Sequence, residues 1–283
     1  MRRKQLHELI AFTILRLAAW TVVGAFIMIV YFLVQRGLGA VSWRFLTEWP
    51  SDSMTKGGIF PALLGTFYLT AGAIGIALPL GILSAIHLTE YARNERMLRL
   101  IRLSINNLAS VPSVVFGLFG AAAFVVRLRF GVSLLAGCLT LALLVLPTII
   151  SAAEEALRNV PATLREASLA LGATKWQTTY RIVLPSALPG IMTGTILGIG
   201  RAAGETAPII FTAVAFFTPT LSHSIFSPVM ALPYHIYVLA TAGTRIEETR
   251  PLQYAAALVL VALVLGLNLI AVAVRSYYRR RLG

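Results

Sequence analysis

The sequence has 283 residues, of which 58% are hydrophobic and 12% are charged, and its formal net charge at pH 7 is +13. This composition excludes a soluble globular domain, because the apolar residues also form long uninterrupted blocks. The positive charge does not indicate a nucleic-acid-binding protein, because nearly all basic residues flank those blocks, as they do in membrane proteins.

Six apolar blocks follow one another along the chain. Five contain no charged residue, and each has about the 20 residues that a helix needs to cross a ~30 Å hydrocarbon core. The sixth begins near Ile182 and differs because it contains a charged pair. The charge-free blocks are residues 17–34, 57–89, 103–126, 130–153 and 251–274. The sequence therefore predicts an all-α polytopic membrane protein with six transmembrane helices.

Basic residues indicate which connections are cytoplasmic, because they are retained on that side of the membrane. Six crossings place both termini on the cytoplasmic side together with residues 93–102 and 158–181, which are richer in arginine than the opposite loops. The uncharged stretch after Glu205 is long enough for a seventh crossing. However, residues 218–235 within it contain three prolines, and a seventh helix would put the arginine-rich tail outside. We therefore predict that residues 217–250 are external, with a short amphipathic or re-entrant helix.

The longest cytoplasmic connection, residues 154–185, has the pattern of two short helices. Pro161 can begin the first helix, and Thr163 with Glu166 three residues later fits a capping box. Gly172 lies where a turn between the helices needs a permissive backbone. The sequence therefore predicts a helix–turn–helix on the cytoplasmic side.

Two aromatic residues, Trp176 and Tyr180, stand four residues apart on the second of these helices. From chemistry alone the loop is either a connection that packs on its own helices or a docking surface for a cytoplasmic partner. Glu154 and Glu155, at the start of the loop, are interpreted as solvated residues at a helix end.

The sixth apolar block carries two opposite charges, Arg201 and Glu205. Counted from Pro189, Arg201 lies ~18 Å along a helix, which is close to mid-depth in the membrane or slightly beyond. The two residues stand at i and i+4 on one helix face, where they can neutralise each other. A charge at this depth costs ~2.5–3.5 kcal/mol. The pair is therefore either a structural ion pair that locks helices, or part of a pathway in which Arg201 meets an anionic substrate and Glu205 orients it.

Small residues continue this helix face towards the cytoplasm. Such residues let helices approach closely in lipid, where the hydrophobic effect does not drive helix association. We predict tight helix packing at five glycines, Gly190, Gly194 and Gly198 in two overlapping G-x-x-x-G steps, and Gly200 and Gly204 beside them.

The cytoplasmic connection resembles the signature loop of permease subunits in ATP-binding-cassette importers: Glu-Ala-Ala, three residues, Gly, nine residues, then Ile-x-Leu-Pro. Here residues 166–168 read Glu-Ala-Ser, Gly172 follows after three residues, and residues 182–185 read Ile-Val-Leu-Pro. Ser168 in place of the second alanine is the one departure. The resemblance implies that the loop seats in a groove of the ATPase subunit and transmits its closure through Glu166, Ala167, Ser168, Gly172, Ala173 and Trp176.

Residues 65–92, 110–120 and 164–210 resemble the A-type permease subunits of phosphate importers, most specifically in the Arg-Ala-x-Gly-Glu-Thr pattern at 201–206. The resemblance implies a type I importer permease fold and a substrate pathway that includes Arg201, Glu205 and Thr206. It implies three regions: an N-terminal helix with the first external loop (1–58), the transmembrane core (59–275) and a basic cytoplasmic tail (276–283).

The same resemblance implies a set of partners and a location. The chain would form a heterodimer with a sister permease, bind two copies of an ATPase subunit and receive phosphate from an extracytoplasmic binding protein. It would lie in a bacterial cytoplasmic membrane and carry phosphate inward by alternating access.

We do not expect this chain to catalyse a reaction or to bind a cofactor. The sequence contains no phosphate-cradling G-x-x-x-x-G-K-[ST] loop, so ATP and Mg²⁺ would bind the partner ATPase, and no cofactor is predicted here. The four histidines, His7, His87, His223 and His235, lack metal-ligand spacing, so we predict packing or interfacial roles and no metal site. The sequence therefore predicts a subunit that is not an enzyme.

Three alternatives stay open at this point. The same machine could carry another oxyanion, such as molybdate, sulfate or phosphonate. An ion-coupled secondary carrier or channel would need an acidic group at the membrane midplane, and only Glu205 could serve. A non-transporting assembly or sensor subunit would leave the intramembrane charges unexplained.

Overall fold

The computed structural model describes residues 2–218, 221, 224–241 and 246–282, and most of them are helical. Within these residues five helical segments are long and apolar enough to cross a membrane, and two bent consecutive helices make a sixth span if they count as one. The five are Glu8–Ala40, Phe60–Tyr91, Leu134–Arg158, Lys175–Gly204 and Glu247–Tyr277. The predicted all-α architecture is confirmed, and the six crossings are reached when the bent pair counts as one of them.

The elements run in a simple order. The helices are α1 (Arg2–Gly37), α2 (Trp43–Thr47), α3 (Phe60–Ile86), α4 (Glu95–Ala109), α5 (Ser113–Gly120), α6 (Leu134–Arg158), α7 (Ala162–Ala170), α8 (Lys175–Thr178), α9 (Leu184–Gly204), α10 (Ala207–Thr212), α11 (Leu232–Thr241) and α12 (Ile246–Leu282). Three of them are extended by π-helical turns at His87–Tyr91, Ala121–Arg127 and Thr179–Val183. Two short strands, β1 (Pro50–Ser51) and β2 (Lys56–Gly57), pair antiparallel in the connection between α2 and α3.

The centre of the molecule is formed by α3, α6 and α9. Small residues bring the first two together: a Cβ atom on Gly72 of α3 would lie 2.5 Å from the Sγ atom of Cys138 in α6. A Cβ atom on Gly81 would lie 2.6 Å from Ile149 Cγ2. Such close approach stabilises helix contacts in lipid through van der Waals packing. The long helix α1 lies at the periphery, where Gly37 approaches the backbone of Tyr254 in α12.

The apolar block 103–126 is bent. The helical segments on the two sides of residues 110–112 meet at 99°. Pro112 accounts for the break, because it lacks an amide N–H and disfavours a helical conformation at Val111. The part of α4 before the bend leaves Met97 and Leu100 exposed.

The segment after α10 contains a short helix. α11 has ten residues, which is ~15 Å and too short to cross a membrane. The predicted short helix in place of a seventh crossing is therefore confirmed for the described part of this segment. His235 of α11 is buried, and burial lowers its pKa to about 4; His223 lies outside the described residues.

Candidate functional site: a charged pair and a cytoplasmic loop

The two charges of the sixth apolar block meet in the folded protein. The Nε atom of Arg201 lies 3.5 Å from Glu205 Oε1, and the side chains are 34% and 19% exposed. Arg201 lies in the last turn of α9, where the carbonyl end of the helix favours a positive charge. The pair is therefore shielded from bulk solvent but not sealed off.

The helix ends between the two charged residues. Gly204 is the last residue of α9, and Glu205 has an extended backbone with φ −74° and ψ 131°. The prediction that both residues share one helix face is wrong for Glu205, because the chain leaves the helix before reaching it. Thr206 then precedes α10, and Pro208 occupies the first turn of α10, where its missing N–H is tolerated.

Contacts with α6 fix the depth of this helix break. A Cβ atom on Gly190 would lie 2.6 Å from the Cβ atom of Ala156, and one on Gly198 would lie 3.4 Å from Ile149 Cδ1. If the same pairing of residues continues along the two antiparallel helices, Gly204 of α9 lies beside the middle of the charge-free block 130–153 of α6.

Contacts with α12 give the same depth independently. Arg275 Nη1 donates a hydrogen bond to Thr193 Oγ1 at 3.1 Å, and the Nδ2 atom of Asn268 lies 3.7 Å from where a Cβ atom on Gly200 would be. This register again places Gly204 beside the middle of an apolar block, residues 251–274. The charged pair and the helix break thus lie beside the middle of two apolar blocks, which is consistent with the depth that the sequence predicts for Arg201.

The five glycines of α9 occupy three different environments. Gly190, Gly194 and Gly198 face α6, and a Cβ atom on Gly194 would collide with Ala152. Gly200 faces α12, and a Cβ atom on Gly204 would meet nothing within 4 Å. The close contact at Gly190 and Gly194 therefore gives way to open space beside the charged pair, and the prediction of tight packing is wrong for Gly204.

One polar residue near this region was not singled out from the sequence. The Oδ1 atom of Asn268 is buried, and it has no hydrogen-bond partner in the described part of the chain. Its amide interrupts an otherwise aliphatic stretch of α12, residues 255–274, and that interruption was the available signal.

The loop that the sequence predicts to be cytoplasmic folds as a helix–turn–helix made of α7 and α8. Gly172 between them has φ +83°, a left-handed conformation that favours glycine. The predicted capping box at Thr163 and Glu166 is wrong, because α7 starts one residue after Pro161 and has no side-chain cap. A capping box forms at the start of α8 instead, between Thr174 and Gln177.

The outer surface of this loop exposes several hydrophobic side chains. Leu171 is 89% exposed, and the rings of Trp176 and Tyr180 stack at 6.2 Å with both side chains exposed. Of the residues that the family resemblance assigns to coupling, Glu166, Ala167, Gly172 and Trp176 are exposed, whereas Ser168 and Ala173 are partly buried. Ser168 Oγ lies 2.9 Å from Thr178 Oγ1 and thereby ties α7 to α8.

The two acidic residues before the loop differ from each other. Glu155 is exposed, as predicted, but Glu154 is buried. Its Oε1 atom accepts hydrogen bonds from Arg102 Nε at 2.7 Å and from Arg158 Nη2 at 2.6 Å. The interpretation of Glu154 as a solvated residue is wrong, because an arginine from the distant helix α4 compensates its charge.

Comparison with known proteins places the chain in a family. The family described as "Binding-protein-dependent transport system inner membrane component" matches residues 77–283. The "Phosphate transport system permease protein PstA 1" of Mycobacterium tuberculosis is 37% identical over 260 residues, which cover 90% of this chain and 84% of that protein. The "Probable ABC transporter permease protein YqgI" of Bacillus subtilis is 36% identical over 252 residues, which cover 85% of each chain.

A solved structure of a bacterial alginate ABC transporter has the same fold, with a TM-score of 0.61 at 15% sequence identity, over 97% of this chain and 94% of that one. The fold is that of the type I ABC importer permeases, and the family is one of multi-pass inner-membrane transport proteins. The chain belongs to the binding-protein-dependent transport system inner membrane components.

Proposed function

We propose that this chain is a permease subunit of an ATP-driven importer and that it moves inorganic phosphate into the cytoplasm by alternating access. The observation that carries the proposal is the Arg201–Glu205 pair, which lies at a helix break near the middle of the membrane. Ionisable groups at this depth are costly and usually mark a substrate pathway. The names of its relatives, among them a phosphate transport permease, support phosphate as the cargo.

The geometry of the pair suits an anion. Glu205 approaches Arg201 through Nε, and no residue in the described part of the chain hydrogen-bonds to the two Nη groups, which can therefore bind a tetrahedral oxyanion in a bidentate manner. The distance of 3.5 Å is too long for a strong hydrogen bond, so the contact with Glu205 leaves the Nη groups to an arriving oxyanion. Glu205 then holds the guanidinium in orientation, and Thr206 supplies a hydroxyl beside it.

The surface of the cytoplasmic loop supports the proposal that a separate partner subunit hydrolyses ATP. Its exposed Leu171, Trp176 and Tyr180 form a hydrophobic surface of the kind that seats in a groove of another protein. We assign ATP and Mg²⁺ to two copies of an ATPase subunit docked there, with Glu166 and Gly172 in the contact.

Two further partners complete the proposed machine. A sister permease would form the other half of the pathway. An extracytoplasmic binding protein would deliver phosphate, and the alginate transporter of the same fold is described in complex with a periplasmic binding protein. Both termini of this chain would be cytoplasmic, in agreement with the arginine distribution.

The test is reconstitution of the chain in liposomes with the candidate sister permease, ATPase and binding protein. We expect uptake of radiolabelled phosphate that requires ATP and persists after ion gradients are dissipated. Competition by excess sulfate or molybdate would identify another oxyanion as the cargo. Uptake driven by an ion gradient without ATP would instead identify a secondary carrier.

A further inference from the structure

The polypeptide connects the cytoplasmic loop directly to α6 and α9, but it does not connect the loop directly to α3. The connection 159–161 links α7 to α6, and a π-helical turn links α8 to α9. The cytoplasmic end of α3 packs beside the loop, yet about 70 residues of chain separate it from α7. A displacement of the loop therefore reaches α3 only through side-chain contacts.

One arginine makes the main contact of this kind. Arg165 of α7 donates from Nη2 and Nε to Glu90 Oε1, at 3.0 and 3.2 Å. Glu90 lies in the π-helical turn that ends α3, and its side chain is 10% exposed, against 23% for Arg165. π-Helical turns occur frequently at functional positions. The two charges thus form a largely buried bridge between α3 and α7.

The same guanidinium also holds the end of α6. Its Nη2 atom donates to the carbonyl oxygen of Leu157 at 2.8 Å, and its Nη1 atom donates to that of Val160 at 2.6 Å. These carbonyls lie at and just after the carboxyl end of α6, where a positive charge is favourable. Arg165 therefore joins α3, α6 and α7 at one point.

A second contact reinforces the bridge from the other half of the loop. The Nζ atom of Lys175, at the start of α8, lies 5.1 Å from the centre of the Tyr91 ring, within range of a cation–π interaction. Both helices of the loop are thus attached to the last residues of α3.

We infer that the Glu90–Arg165 bridge is the element that makes α3 move together with the cytoplasmic loop. Arg165 is a positioning residue in this account, and its role in coupling rests on the proposed function, whereas its mechanical role does not. α3 packs along α6 and α9, so a movement delivered to its cytoplasmic end reaches the helix that carries Arg201. Without the bridge, a loop displaced by an ATPase would reach α3 only indirectly, through its packing against α6 and α9.

The mechanical part is tested on the purified chain alone. Spin labels are placed on Leu83 of α3 and Thr163 of α7, both exposed, after Cys138→Ser removes the native thiol. We expect one narrow distance distribution, which broadens about twofold in Glu90→Ala and in Arg165→Gln as the loop detaches. Arg158→Gln is the matched control, because Arg158 pairs with Glu154 rather than with α3, and it should leave the width unchanged. An unchanged width in both bridge variants would overturn the inference.

The coupling part uses the reconstituted transporter. We expect Glu90→Gln and Arg165→Gln to retain ATPase association and ATP hydrolysis while the ATP consumed per phosphate imported rises about fivefold. Arg165→Lys, which keeps the charge but not the forked geometry, should recover part of the coupling. A wild-type ratio in both Gln variants would contradict the coupling role. Absence of ATP-driven uptake in the wild type would contradict the proposed function, while the distance measurement still decides the bridge.

Discussion

Arg201 and Glu205 form an ion pair across the end of a helix, with 3.5 Å between Nε and Oε1 although Gly204 between them is the last helical residue. A structural ion pair within one helix would keep both residues in the same uninterrupted helix. Here the chain breaks instead, near the middle of the membrane, where broken helices are tolerated when they line a cavity or pack within protein. The same break leaves open space beside Gly204.

The packing of α9 on α6 predicts a strong effect at Gly194. Valine at this position would place its side chain against Ala152, and overpacking of this kind costs about 1–3 kcal/mol. We expect Gly194→Val to lower the thermal unfolding temperature of the purified protein. Gly266→Val in α12 is the control, because a Cβ atom there meets nothing within 4 Å. Equal thermal stability of the two variants would show that the α9–α6 contact is not tight.

The turn at Gly172 predicts a specific defect in ATPase binding. A β-branched residue in the left-handed conformation at φ +83° costs about 1–3 kcal/mol of backbone strain, which should displace α8 relative to α7. We therefore expect Gly172→Val to reduce co-purification of the ATPase subunit and uptake together. Gly131→Val imposes similar strain at φ +67° in the turn before α6, far from the loop, and should leave co-purification intact. Normal co-purification and uptake in Gly172→Val would contradict the docking role of this turn.

The burial of His235 predicts that the stability of the protein around α11 decreases in acid. Burial lowers the pKa of His235 to about 4, so the folded protein keeps it neutral while the unfolded chain takes up a proton below about pH 6.5. Stability should therefore fall as the pH decreases from 6.5 towards 4, by about 2 kcal/mol at pH 5. We expect a larger drop in unfolding temperature between pH 7.5 and 5 for the wild type than for His235→Gln. Parallel curves for the two proteins would contradict this role of His235.

The sequence predicts the parts of this molecule that depend on local pattern. Charge-free blocks indicate the spans, residue counting places Arg201 near mid-depth, and the position of Gly172 indicates the turn. Each of these follows from the period of one helix or the needs of one backbone position.

Features that depend on distant residues were not predictable in this way. Glu154 looks solvated until Arg102 reaches it from α4. Arg201 and Glu205 are four residues apart whether or not α9 continues to Glu205, so their spacing could not predict the helix break. The Glu90–Arg165 bridge joins two segments 75 positions apart, and only the fold brings them together.

The central claim is that Arg201 contacts the transported anion, and the most direct test is phosphate uptake by the assembled transporter carrying Arg201→Ala or Arg201→Lys. Losing hydrogen bonds to a charged ligand costs about 1.5–3 kcal/mol, so we expect uptake by Arg201→Ala to fall roughly 10- to 100-fold. Arg201→Lys should be intermediate, because it keeps the charge without the bidentate fork. Normal uptake kinetics in a fully assembled Arg201→Ala complex would contradict the account and leave the pair with a structural role only.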